Sequence, residues 1–180
     1  MISELELITR LKSEQYKQEA FRVLLKQYQE RLYWHIRKIV IYHDDADDVL
    51  QNTFIKIFNN INGFKEESKL FSWMYRIATN EAITFLNQKA RRNNSTTEKE
   101  KEFAISNLET DVYFEGDEIQ LKLQKAIATL PEKQQLVFNM KYFDDITYEE
   151  LSEILETSVG ALKSSYHLAV KKITAYLTED

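Results

Sequence analysis

The sequence predicts an all-α protein: two small helical domains joined by a flexible acidic linker. Three observations predict it. The chain of 180 residues holds only three Gly and one Pro, too few turn formers for many short strands. Apolar residues recur at three- and four-residue spacing through most of its length. That periodicity lapses once, from Arg91 to Asp117, where the chain turns polar and mostly acidic. The domains are therefore expected at residues 1–92 and 118–180, with residues 93–117 as a linker of low order. With 43% hydrophobic residues, both halves can bury a core.

The elements follow in order. Phe21, Leu24, Leu25, Tyr28, Leu32 and Ile36 make one helical stripe. Leu50, Phe54, Ile57, Phe58 and Ile61 make another, on a helix from about Asp45 to Ile61. Asn62-Gly63 should close it, with Gly63 in the left-handed conformation. Lys65-Glu66-Glu67-Ser68 reads as a polar loop, and a third helix runs from about Leu70 to Ala90. After the linker, Pro131 suits the first turn of a helix. Thr147-Tyr148-Glu149-Glu150 is a capping box opening a short helix that ends near Glu156. The last helix, from about Val159 to Leu177, follows a two-residue turn, which makes a helix-turn-helix.

Charge is distributed more tellingly than the net −5 suggests. From Lys69 to Arg92 five basic residues face one acid, and from Asn93 to Glu118 eight acids face two lysines. From Gly160 to Tyr176 there are three lysines, one His and no acid. Two basic segments flank an acidic one. Phosphate contacts supply most non-specific DNA affinity, so such a chain should grip DNA weakly without a partner.

On the third helix, Arg76, Asn80, Thr84, Asn87 and Arg91 share a face that can donate hydrogen bonds and holds no acid. Phe71, Ala78, Ala82 and Phe85 lie opposite. The aromatic residues Phe64, Phe71, Trp73 and Tyr75 lead into it; most belong in a core, although aromatic and basic residues together suit unpaired bases. On the last helix, Val159, Leu162, Tyr166, Val170, Ile173 and Leu177 form the expected buried stripe. Ser164, Leu168 and Lys171 face away, flanked by Lys163 and His167. Lysines there can hold phosphates, Ser and His can reach base edges, and Leu168 can meet a thymine methyl.

On the helix from Asp45 to Ile61, Asp48, Asn52, Ile55 and Asn59 lie opposite the apolar stripe, with Gln51 beside them. An apolar Ile55 among polar neighbours fits an anchor in a protein interface. The acids from Asp44 to Asp48 are explained by the helix dipole more simply than by a metal, so no metal site is expected. No catalytic residue set, phosphate loop or cofactor motif is present. Without Cys, a signal segment or a transmembrane run, a cytoplasmic protein with no membrane insertion is expected.

DADDVLQNTFIKIF, FKEESKLFSWMYRIATNEAITFL and KARR resemble region 2 of the extracytoplasmic-function (ECF) σ factors, the group-four members of the σ70 family. LPEKQQLVFNMKYFDDITYEELSEILETSVGALKSSYHLAVKKI resembles their region 4. The likeness spans about Phe21–Arg92 and Ile119–Ile173, and leaves no room for a region 3 or an extended region 1.

The resemblance implies a σ factor that directs promoter recognition, −10 melting and transcription initiation. Region 2 would dock on the β′ clamp of core RNA polymerase through Asp48, Gln51, Asn52 and Ile55, with Phe58 nearby; region 4 would meet the β flap. The loop Phe64–Leu70, with Lys65, Ser68 and Lys69, and the helix carrying Arg76, Asn80, Thr84, Asn87 and Arg91 would open the −10 element. Asn80 matches the family position that lines the flipped-base pocket. Lys163, Ser164, Ser165, His167, Leu168 and Lys171 would face the −35 element, the linker would thread the polymerase channel, and an anti-σ factor would hold the protein inactive. Ser165, Leu168 and Val170 stand where family members commonly carry Arg, so the −35 contacts should be less electrostatic. Region 2 also lacks the paired Trp motif of housekeeping σ factors. The alternatives are a stand-alone helix-turn-helix regulator, a helical adaptor and, remotely, a metal-dependent helical enzyme.

Overall fold

A computed structural model describes residues 2–107 and 117–178. Nine α-helices make up the described residues: α1 (Glu4–Leu11), α2 (Lys17–Val40), α3 (His43–Asn60), α4 (Leu70–Arg92), α5 (Thr97–Ser106), α6 (Glu118–Ala128), α7 (Glu132–Tyr142), α8 (Tyr148–Leu155) and α9 (Val159–Thr178). None is long and apolar enough to cross a membrane.

The first four helices form a bundle in which α2, α3 and α4 pack against one another and α1 closes one end on α2. Leu24, Leu32 and Ile36 of α2, Ile57 of α3 and Met74, Ala78 and Ala82 of α4 fill its centre. The α2–α3 connection is a γ-turn: Tyr42 N donates to Val40 O at 2.9 Å, and Ile41 sits at φ 71° and ψ −46°. That conformation is strained for a β-branched residue. Asn62-Gly63 does not form the expected left-handed cap. Ile61–Gly63 is instead a 3-10 turn, closed by Phe64 N on Ile61 O at 3.1 Å. The tighter turn lets Ile61 and Phe64 both enter the core, so no left-handed residue is required.

The segment read as a linker of low order begins with a helix. Thr96 caps α5 by accepting from Lys99 N, and α5 packs on both α4 and α6. Its buried side is Lys101, Ala104 and Ile105, with Lys101 Nζ donating to Gln135 Oε1 at 2.9 Å. Helical spacing of these three residues outweighs the acidic composition around them. The expected linker also includes residues 108–116, which lie outside the described residues.

In the C-terminal half, α6, α7 and α9 enclose a small core of Ala126, Ile127, Leu130, Phe138, Ala169 and Ile173. The capping box of α8 is complete: Glu150 N donates to Thr147 Oγ1 at 3.2 Å, and Thr147 N donates to Glu150 Oε2 at 3.1 Å. Helix α8 ends at Glu156 in the left-handed region, φ 50°. On α9 the buried stripe runs through Leu162, Tyr166, Ala169 and Ile173; Val170, expected to be buried, is exposed. A small residue at 169 permits the close approach that Ala126 makes possible from the other side.

The two halves do not stand apart. Leu136, Val137, Met140, Ile146, Leu151, Ile154 and Leu162 belong to the same continuous core as the first bundle. Helix α8 lies on α4, and α7 touches α2.

Candidate nucleic-acid interface

The donor stripe on α4 faces outward where it should. Asn80, Thr84, Asn87 and Arg91 are exposed and Arg76 is half-buried, while Phe71, Ala78 and Ala82 are buried beneath them. Two of its residues are engaged by neighbouring helices. At one end Arg76 Nη1 binds Glu156 Oε1 of α8 at 2.9 Å. At the other, Asn87 Oδ1 accepts from Thr97 Oγ1 of α5 at 3.0 Å.

In the preceding loop Lys65 is exposed and Ser68 half-buried. Lys69 Nζ meets Glu150 Oε1 at 2.8 Å. That bond holds the lysine's pKa above its ordinary value and the Glu150 carboxyl below its own. Phe64 corrects an expectation. It is 3% exposed, with its ring centroid 5.2 Å from that of Trp73, so the ring is core and not offered to a base in this form.

The outward face of α9 holds Lys163, Ser164, His167, Leu168 and Lys171, all exposed, with Ser165 half-buried. Leu168 is 47% exposed, an apolar side chain among donors. Ser164 Oγ donates back to Gly160 O at 3.1 Å and leaves its lone pairs outward. Lys163 Nζ lies 5.6 Å from the Tyr148 ring, which orients it without neutralising it.

The third predicted surface is on α3. Asp48, Gln51, Asn52 and Ile55 are all exposed, Ile55 by 52%. Phe58 is half-buried, edge-on to Phe21 at 5.0 Å with Lys17 Nζ 4.3 Å from its centroid. The acidic run at the start of α3 is divided by its partners. Asp45 Oδ2 binds Lys89 at 2.5 Å and Asp47 Oδ2 faces His43 at 3.3 Å. Among the described residues no cluster of His, Asp and Glu is placed to hold a metal.

Sequence reasoning missed the group that joins the halves. Asp144, in the α7–α8 turn, sends its carboxylate into the first bundle, where it is 6% exposed. Lys38 Nζ meets Oδ1 at 2.6 Å, and His35 Nδ1 stands 3.5 Å from Oδ2. Arg31 Nη2 donates to the Asp144 carbonyl at 3.3 Å. Burial alone would raise the Asp144 pKa, but His35 and Lys38 outweigh it and hold the carboxyl below its usual range. Burial lowers the pKa of His35 in spite of Asp144. Thr79 Oγ1 donates to Tyr75 O at 2.7 Å and shares a hydrogen bond with His35 Nε2 at 2.8 Å. His35 Nδ1 and Asp144 Oδ2 face each other at 3.5 Å, and neither has another partner. The adjacent DD in FDDI gave no signal, because exposed and buried acids look alike in a sequence.

Exposed ion pairs such as Lys69–Glu150 and Arg76–Glu156 are screened by solvent and contribute little to stability. They orient α8; the shared apolar core and the buried Asp144 hold it.

A family model for σ70 region 2 matches residues 24–92, and one for σ70 region 4 matches residues 120–173. The RNA polymerase sigma-H factor of Pseudomonas aeruginosa is 29% identical over 153 residues, 81% of this chain and 79% of the relative. The ECF RNA polymerase sigma-E factor of Haemophilus influenzae is 28% identical over 159 residues, 84% of each chain. In fold, the chain is similar to CnrH in its complex with the cytosolic domain of CnrY: TM-score 0.73, 19% identity, 98% of each chain covered. It is also similar to the σ factor RpoE of Bartonella quintana in complex with the anti-σ factor NepR, with TM-score 0.67 and 19% identity over 89% of this chain and 98% of the other. With regions 2 and 4 in order on one helical chain, and sigma-E and sigma-H relatives aligned across both, the protein belongs to the ECF σ factors of the σ70 family.

Proposed function

We propose that this σ factor reads promoters through two separate surfaces, the outward stripe of α4 for the −10 element and the outward face of α9 for the −35 element. The observation that carries the reading is the pair of exposed donor faces, Asn80-Thr84-Asn87-Arg91 and Lys163-Ser164-His167-Lys171, on helices 4 and 9 of one chain. In this reading residues 1–92 are the −10 and polymerase-binding unit, residues 93–117 the connector, and residues 118–180 the −35 unit. Asn80 hydrogen-bonds a flipped base, Arg76 and Arg91 hold the backbone beside it, and Lys163 and Lys171 hold phosphates at the major groove. Leu168 packs on a thymine methyl. Asp48, Gln51 and Asn52 surround Ile55 in an anchor for the β′ clamp of core polymerase, and the C-terminal unit meets the β flap. The work takes place in the cytoplasm, where polymerase and promoter are. CnrH and the Bartonella RpoE are recorded bound to CnrY and NepR, which makes an anti-σ protein the matching regulatory partner here.

The test is run-off transcription with core polymerase, on a promoter mapped by sequencing transcripts after overexpression. Asn80→Ala and Lys163→Ala should each weaken promoter use by about 1–3 kcal/mol, roughly five- to 150-fold. Tight binding of duplex DNA by a dimer of the chain, without polymerase, would instead support a stand-alone helix-turn-helix regulator.

A further inference from the structure

We propose that α9 selects a pyrimidine C5-methyl group in the major groove, read by Leu168 and Ser164 together, so that thymine and 5-methylcytosine are preferred over their unmethylated counterparts at one position of the −35 element. The proposal rests on the reading of α9 as the −35 face and names what that face selects.

The outward face of α9 is apolar along one row and basic at the borders of that row. The helix holds no acid. Leu168 is 47% exposed. It stands about 100° or more around the helix from Leu162, Ala169 and Ile173, the residues that α9 buries, so it cannot share their core. A single exposed leucine is common and by itself indicates nothing. This one continues a row. Ala161 and Ala175, seven residues before and after it, lie within about 20° of it and are also exposed. Their short side chains let the helix come close to whatever Leu168 touches. Lys171 and Lys172, one turn further on, are exposed and border Leu168 on opposite sides. An apolar row between cations matches the major groove, where base edges lie between two phosphate backbones.

Ser164 adds the second half of the selection. It sits four residues before Leu168 and therefore beside it. Its Oγ donates to Gly160 O at 3.1 Å, so toward the groove it presents lone pairs and requires a donor. Leu168 and Ser164 together call for a methyl group with an amino group nearby. Two kinds of base pair present both in the major groove. A T·A pair offers the thymine methyl and the adenine N6 hydrogens. A C·G pair offers the cytosine N4 hydrogens, and gains the methyl when cytosine carries it at C5. A pair of deoxyuridine with adenine, or of plain cytosine with guanine, keeps the donor and lacks the methyl. Covering one methyl with Leu168 corresponds to a factor of about four in affinity. The lysines supply affinity for any duplex, and Leu168 supplies the choice among duplexes. Neither leucine nor methyl is charged, so that choice does not depend on salt, whereas the lysine contacts do.

The experiment uses holoenzyme formed from core polymerase and the full chain, with labelled synthetic duplexes of a promoter mapped by sequencing transcripts after overexpression. Each thymine of the −35 element, on either strand, is replaced in turn by deoxyuridine. Binding is followed by fluorescence anisotropy over a series of salt concentrations. One replacement should weaken binding about fourfold. With a C·G pair at that position, 5-methylcytosine should bind about fourfold more tightly than cytosine. Leu168→Ala should abolish both differences and leave the salt dependence unchanged. Lys171→Ala should weaken binding to every duplex alike and reduce the salt slope by about one. Equal affinity for thymine and deoxyuridine at every position would overturn the proposal, and so would discrimination that survives Leu168→Ala. A loss with deoxyuridine but no gain with 5-methylcytosine would overturn the second source and confine the methyl to thymine. If Lys163→Ala and Lys171→Ala also left promoter binding unchanged, α9 would not be the −35 face, a failure of the function reading itself.

Discussion

At the scale of single residues, exposure separates function from packing more sharply than residue type does. Phe64 and Ile55 are both apolar residues in segments that the sequence marked for binding, yet one is 3% and the other 52% exposed. Ile55→Asp should therefore leave far-UV circular dichroism unchanged and abolish co-purification with core polymerase, because the charge meets water until the interface forms. His35 makes a second prediction at this scale. Its folded pKa is lowered by burial, so the unfolded chain takes up a proton first, near the ordinary value of about 6.5. Stability should fall as pH drops below that value. Asp144, whose folded pKa is also lowered, adds a further loss as pH falls through the ordinary carboxylate range of about 4 and below. Tyr75 beside the pair, its pKa raised by burial, stays neutral across this window. Urea midpoints measured from pH 8 to pH 4 should decline in two stages, and His35→Gln should remove the first.

At the scale of elements, patterns that depend on local geometry were legible and those that depend on tertiary contact were not. The capping box at Thr147 was readable because it needs only two residues three apart, and both of its hydrogen bonds are made. Helix α5 was not, because an average over its acidic neighbours hides the spacing of Lys101, Ala104 and Ile105. Val170 and Ala169 show the same limit from another side. Periodicity favours the larger apolar residue for the core, whereas the close packing of α6 and α9 calls for the smaller. Since Thr147 fixes the start of α8 and aims Glu150 at Lys69, its loss should act locally and across the interface. Thr147→Ala should cost about 1 kcal/mol of stability by urea denaturation. It should also loosen the contact of α8 with α4, read as faster amide exchange in α8 than in α7.

For the whole molecule, the sequence suggested two domains on an acidic tether, in a chain that grips DNA weakly without a partner. The described residues show one continuous core crossing from α4 to α7 and α8. Nothing in the sequence exposes this, because Val137, Met140 and Ile146 would be apolar in a separate domain as well. Their burial against the first bundle makes the unfolding of the two halves interdependent. Both tryptophans, Trp34 and Trp73, lie in the first half, whereas helices throughout contribute to circular dichroism. In the wild-type chain the urea transitions followed by tryptophan fluorescence and by circular dichroism should coincide. The triple variant Asp144→Asn/Glu150→Gln/Glu156→Gln removes the buried Lys38–Asp144 ion pair and both exposed ion pairs between the halves. The C-terminal half, with the smaller core of its own, should then melt at lower urea, so that the circular dichroism transition begins before the fluorescence transition. Coincident transitions in that triple variant would mean that the apolar contact alone binds the halves, and that the acids merely decorate it.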